Sequence, residues 1–201
     1  MQELEQICEQ IRQCKKCPLA EGRTHAVPGA GPADADLMFI GEAPGFHEDR
    51  QGLPFVGAAG EFLNELLASI DLSREDVYIT NVIKCRPPGN RDPEDDEIAA
   101  CRPYLDKQIE IIKPKMIVTL GRFSMQLAFS DVTITRVHGT PKRVGDILYY
   151  PMFHPAAALH QPRYRSLIEE DIQRIPEILD DGESFTIEEE PSEKPKQLGL
   201  F

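Results

Sequence analysis

The chain has 201 residues, 41% of them hydrophobic and 28% charged, with a formal net charge of −12; this describes an ordinary soluble chain with room for one sizeable core. Its apolar runs stop at four to six residues, too short to span a membrane, and residues 1–17 are amphipathic rather than a charged-then-apolar leader, so the expected location is the cytoplasm. The acidic balance argues against a generic nucleic-acid binder, but basic residues gather at Lys84, Arg86, Arg91, Lys142, Arg143, Arg163 and Arg165, where a local rim can hold a phosphate backbone.

In chain order, the first segment, MQELEQICEQIRQCKKC, reads as a helix that packs Cys8 on its apolar side. A buried strand, Leu37–Ile40, then runs into the polar loop GEAPGFHEDRQGLPFVGAAG, from Gly41 to Gly60. Helical spacing follows over Glu61–Ile70, a strand over Val77–Ile83 ending in NVIKCRPPGNRDP, and a helix over Glu94–Ile112 that Pro114 closes. A strand at Met116–Leu120 ends in GRFS and precedes a helical Phe123–Phe129. The last strand, Leu148–Phe153, ends in HPAAALHQP, before a helix over Tyr164–Leu179 that Pro176 bends or shortens.

Strand–helix alternation of this length predicts a central four-stranded, mainly parallel sheet covered on both faces by helices. In such sheets ligands bind outside the carboxyl ends of the strands, so the four strand-end segments should converge on one crevice. Residues 1–179 form the expected single domain. From Asp180 to Lys196 there are seven acids against two lysines, a net charge of −5, which predicts a disordered acidic linker. The chain then reads QLGLF over residues 197–201.

Five cysteines are present. Cys14 and Cys17 form a CxxC pair, and Cys85 and Cys101 flank the proline-rich loop and the next helix, so the four can complete a tetrathiolate site for zinc or an iron–sulfur cluster. The fifteen-residue gap between Cys85 and Cys101 leans toward a cluster.

The strand-end loops carry a coherent set of groups. Glu42 supplies a carboxylate, while Gly41, Ala43 and Gly45 allow close backbone approach. Phe55 offers a stacking face, Asn81 a donor and an acceptor, and His154 a donor for an oxygen that gains charge. Together they fit a planar, amide-like ligand. Singly, each has an ordinary alternative: Asn81 as a turn former, Phe55 as packing, His154 or Glu42 as partners of backbone or arginine. Glu48 and Asp49 read as solvated loop charges.

The GEAPG…VGAAG loop, TNVIKCRPPGNRDP, the four cysteines and FHPAAAL together resemble the iron–sulfur (family 4) uracil-DNA glycosylases, over about Cys14 to Leu159. The resemblance implies a three-layer α/β/α sandwich and a monofunctional enzyme that hydrolyses the N-glycosidic bond of deoxyuridine in double- or single-stranded DNA. By it, Glu42 lies in the water-activating segment, Gly41 and Ala43 approach the base, Phe55 stacks on uracil, Asn81 reads its edge and His154 stabilises the departing anion. Asn90 resembles an additional catalytic position, and Cys14, Cys17, Cys85 and Cys101 hold a [4Fe-4S] cluster, zinc being the alternative.

The best-known branch of the superfamily reads GQDPYH; here Ala43 replaces its water-activating aspartate, leaving Glu42 or Asn90 for that role. Another branch links covalently through a KRRIH histidine, but PPGNRDP stands here, so no adduct is expected. Phe46, His47 or Glu48 could form the wall that excludes thymine, and Leu159 could wedge into the vacated stack. Gln197, Leu198, Leu200 and Phe201 resemble a peptide that docks on the bacterial sliding clamp. A monomer is expected, associated with the nucleoid. The competing reading is a non-catalytic cluster or zinc protein that binds nucleic acid or a partner through the same loops.

Overall fold

The computed structural model describes residues 2–181. The expected linker over 180–196 therefore lies outside the described residues except for Asp180 and Asp181, and the 197–201 peptide lies outside them entirely. Five strands form one sheet in the order β2-β1-β3-β5-β4: β1 Leu37–Gly41, β2 Tyr78–Asn81, β3 Met116–Leu120, β4 Lys142–Val144 and β5 Ile147–Met152. The first three and β5 pair in parallel.

The sheet thus has one strand more than expected. β4 is a three-residue edge strand paired antiparallel to β5. Its residues, Lys-Arg-Val, carry no apolar run, and only the Gly145-Asp146 turn between Val144 and Ile147 marks a hairpin. Gly145 takes φ +59° there. Lysine and arginine on an edge strand also discourage further pairing.

Period-two alternation divides the strands between two cores. Leu37, Phe39, Val118, Leu120, Tyr150 and Met152 face one layer, while Met38, Ile40, Ile117 and Tyr149 face the other. The first layer packs helices α3 Ala58–Ala68, α5 Pro155–His160, α6 Arg163–Gln173 and α7 Ile175–Asp180; the second packs α1 Gln2–Arg12 and α4 Asp95–Ile112. This is the three-layer sandwich. Helix α2, Phe46–Gln51, belongs to the loop after β1.

Pro176 marks a real break, since α6 ends at Gln173 and α7 begins at Ile175. The expected Phe123–Phe129 helix is instead a short turn over Arg122–Met125. Beyond it, Leu127 and Ala128 donate to carbonyls three residues back, tightening the chain out of α-helix. Helix α4 starts in a capping box, Glu94 with Glu97. Among the described residues no helix is long and apolar enough to cross a membrane.

Candidate active site and cysteine cavity

Parallel pairing sets Gly41 opposite Asn81 at the carboxyl ends of β1 and β2. The loops beyond these ends and beyond β5 enclose a cleft of about 390 Å³ lined by Glu42, Ala43, Pro44, Gly45, Glu48, Phe55, Ala59, Asn81, Pro87, Asn90, Arg91, His154 and Ala156. The expected convergence is therefore present. Gly41 lies just behind the lining: a Cβ there would collide with Asn81 Oδ1 and the Phe55 ring, so its part is to let those two side chains approach.

Asn81 is buried, and among the described residues its Oδ1 has no hydrogen-bond partner. A buried amide oxygen left unpaired costs about 1–3 kcal/mol, a cost that a complementary ligand removes. Its backbone is held instead, because the Lys84 ammonium donates to Asn81 O at 2.8 Å.

Phe55 sits at φ +52° and is buried. Arg74 secures this unusual backbone by donating to the carbonyls of Phe55 and Pro54, and Gly60 permits its close passage, since a Cβ there would strike Phe55 O. The Phe55 ring lies 5.4 Å from the His154 ring at an interplanar angle of 24°.

His154 caps the N-terminus of α5, its Nδ1 accepting from Ala156 N–H at 3.1 Å. That bond reserves Nδ1 as an acceptor and puts the proton on Nε2. Desolvation holds the imidazole's pKa down to about 4, against a weaker opposing pull from Glu48. Near neutrality the ring is an uncharged donor. Gly121, at φ +90° after β3, gives it room, because a Cβ would lie 3.3 Å from that of His154.

Burial pushes the Glu42 carboxyl above its ordinary value; Asp92 adds to this and Arg122 opposes it. Asn90 stands exposed at the rim with φ +56°, its Oδ1 accepting from Arg86 Nε at 2.7 Å. Arg91 reaches the lining from a bidentate pair with Glu97 at 2.9 and 2.6 Å. Leu159, 50% exposed on α5, is outside the lining.

Several sequence readings need correction. Glu48 is no solvated charge: its Oε1 accepts from Val56 N and Gly57 N at 2.8 and 2.9 Å, fixing the loop that carries Phe55. Asp49 is buried and accepts from Thr24 N. Of the three residues offered as a thymine-excluding wall, only Glu48 lines the cleft; Phe46 and His47 are exposed outside it. The helix itself was signalled, since FHEDRQ-G follows Gly45 with acids in the first turn, a base in the last and a glycine at φ +70° behind it, but the partners of its two acids were not. Lys84 leaves the basic rim too: it is buried, donating to Thr80 Oγ1 and Gln108 Oε1 as well as Asn81 O.

Cys14, Cys17, Cys85 and Cys101 all line one small cavity, with Lys16, Arg23 and Tyr104 beside them. Three of the sulfurs already accept N–H donors: Cys85 from Arg23 Nη1 at 3.0 Å, Cys101 from Lys84 N at 3.4 Å and Cys14 from Lys16 N at 3.5 Å. Burial raises the thiol pKa of Cys17, Cys85 and Cys101, the last to about 11, so thiolates here call for a positive partner. Among the described residues no three Cys, His, Asp or Glu close on a point where one ion could sit. Cys8 is elsewhere, buried with its sulfur 3.9 Å from Tyr78 Oη.

An open, mainly parallel sheet whose strand ends present an aromatic face, a buried amide with an unpaired oxygen, a neutral imidazole and a carboxylate is chemically suited to a planar, amide-bearing ring. Residues 28–174 match the family described as the uracil DNA glycosylase superfamily. A type-4 uracil-DNA glycosylase of Sulfurisphaera tokodaii is 50% identical over 198 residues, covering 94% of this chain and 90% of the relative. Others, from Archaeoglobus fulgidus and Thermotoga maritima, are 47% and 45% identical, covering 89% and 88% of this chain and 94% of each relative. The chain belongs to the uracil-DNA glycosylase superfamily and, within it, to the type-4 family.

Proposed function

We infer that the protein removes uracil from DNA by hydrolysing the N-glycosidic bond of deoxyuridine, leaving an abasic site. The observation that carries this reading furthest is Asn81 Oδ1, without a partner among the described residues, beside the Phe55 ring at a cleft formed by the strand ends of a type-4 family member. Uracil within a duplex is out of reach, so the nucleotide turns outward into the cleft, at a cost of about a few kcal/mol. The base then stacks on Phe55 while the Asn81 amide pairs with its edge.

Bond cleavage puts negative charge on uracil and positive character on the sugar. His154 donates through Nε2–H to the uracil oxygen that gains charge; because the ring is already neutral, it gives up no cation to do so. Glu42, half-buried and aimed at the same cleft, holds the attacking water or faces the sugar cation. Asn90, tied to Arg86 at the rim of the same cleft, is the other candidate for positioning that water. Leu159, exposed, fills the vacated stack.

Cys14, Cys17, Cys85 and Cys101 are the residues that would hold a [4Fe-4S] cluster. Four thiols around one cavity are the donor set that a cluster or zinc takes, and the fifteen-residue spacing of Cys85 and Cys101 favours the cluster. When bound, it supplies cross-linking between the α1 end, the loop after β2 and α4. The reading also assigns Gln197, Leu198, Leu200 and Phe201 to a bacterial sliding clamp, on the sequence QLGLF alone. Deleting 197–201 is expected to abolish clamp pull-down and to spare cleavage of short oligonucleotides; retained pull-down overturns that assignment.

The activity is tested with oligonucleotides carrying one uracil, thymine or cytosine. Alkali-labile breaks at uracil alone are expected. A non-catalytic nucleic-acid-binding protein would bind the strand and leave no breaks.

A further inference from the structure

Phe46 opens α2 immediately after Pro44 and Gly45, which line the cleft, yet its own ring is outside the lining and 47% exposed. Two guanidinium groups attend that ring. Arg50, one turn further along α2, lies 5.6 Å from the ring centre, and Arg86, from the loop after β2, lies 5.2 Å away. Arg86 is oriented from behind by its bond to Asn90, itself part of the cleft lining. In a chain of net charge −12, an exposed aromatic ring with a cation from each of two elements is a concentrated feature, contiguous with the cleft mouth.

Aromatic faces that stack bases, flanked by cations that meet phosphates, are how proteins hold single-stranded nucleic acid. We propose that Phe46, Arg50 and Arg86 form a platform for the nucleotide next to the flipped deoxyuridine: its base stacks on Phe46, and the arginines take the phosphates on either side. The platform acts on the strand outside the cleft, so it governs capture of substrate rather than bond cleavage. The inference rests on the reading of uracil-bearing DNA as the substrate.

The test uses single-stranded oligonucleotides with an uncleavable 2′-fluorinated deoxyuridine and 2-aminopurine on its 5′ or its 3′ side. Wild type is expected to quench one of the two fluorophores by stacking. Phe46→Ala and Phe46→Leu should lose the quench and bind about tenfold more weakly, and Phe46→Trp should restore both. On the cleavable strand, Phe46→Ala should raise KM about tenfold with kcat within about twofold. Equal quenching by wild type and Phe46→Ala overturns the proposal. So does a binding loss of the same size when the flanking nucleotide is an abasic linker. Because quenching needs no cleavage, the platform and the glycosylase activity can fail separately.

Discussion

The cleft and the cysteine cavity share one stretch of chain, Asn81 to Cys85, and are built in opposite ways. The cleft gathers polar groups from several strand ends and leaves one of them, Asn81 Oδ1, without a partner among the described residues. The cavity surrounds its sulfurs with N–H donors in advance. An unsatisfied group on a cleft wall can be completed by a ligand, which is then selected by it; Thr119 Oγ1, also buried and without a partner among the described residues, is not in the cleft lining. Sulfurs that already accept N–H donors are arranged in advance to carry negative charge. Lys84 joins the two, with its ammonium on Asn81 O and its backbone N–H on Cys101 Sγ.

Perturbations should therefore separate cleanly. The largest effect is expected for His154→Ala, a fall in kcat of about 10²- to 10³-fold, with the absorbance near 400 nm, roughly, expected of the proposed cluster unchanged; a variant that also lost that absorbance would break the comparison. Cys85→Ala should do the reverse, losing that absorbance and about 3 kcal/mol or more of stability in denaturant melts. Full colour and stability in this variant would remove Cys85 from the ligand set.

A smaller effect is expected from pH. The His154 pKa is held near about 4 in the fold against 6.5 ordinarily, so as pH falls through this window the unfolded chain gains a proton that the folded chain refuses. Stability from this group is complete above about 6.5 and is lost toward about 4. Melts of wild type and His154→Asn over that window should diverge, the variant having the shallower dependence. The smallest effect is expected for Leu159→Ala: KM on duplex substrate up about threefold to tenfold, and on single strands less than about twofold, because only a duplex leaves a gap to fill.

The strands were legible because each is a buried run bounded by turn residues, and the gathering of Cys14, Cys17, Cys85 and Cys101 at one cavity because a CxxC pair and two further cysteines stand out without knowledge of the fold. Edge strand β4 was not, since three residues of Lys-Arg-Val have no periodicity to read. Glu48 and Asp49 look like any surface acids until α2 forms and turns one toward the backbone of Val56 and Gly57 and the other toward Thr24. Lys84 is the hardest case. Nothing local distinguishes a buried lysine from a surface one; its partners Thr80 and Gln108 come from β2 and from α4. The cleft residues Glu42, Phe55, Asn81 and His154 were readable only jointly, as members of strand ends that a parallel sheet must bring together.

The central claim is that the Asn81 amide, whose oxygen has no partner among the described residues, reads uracil. Single-turnover cleavage of a single-stranded uracil oligonucleotide by wild type and Asn81→Ala, with absorbance near 400 nm recorded on the same samples, tests it most directly. A loss of at least about a hundredfold at unchanged absorbance is predicted. Cleavage by Asn81→Ala within a fewfold of wild type would contradict the account.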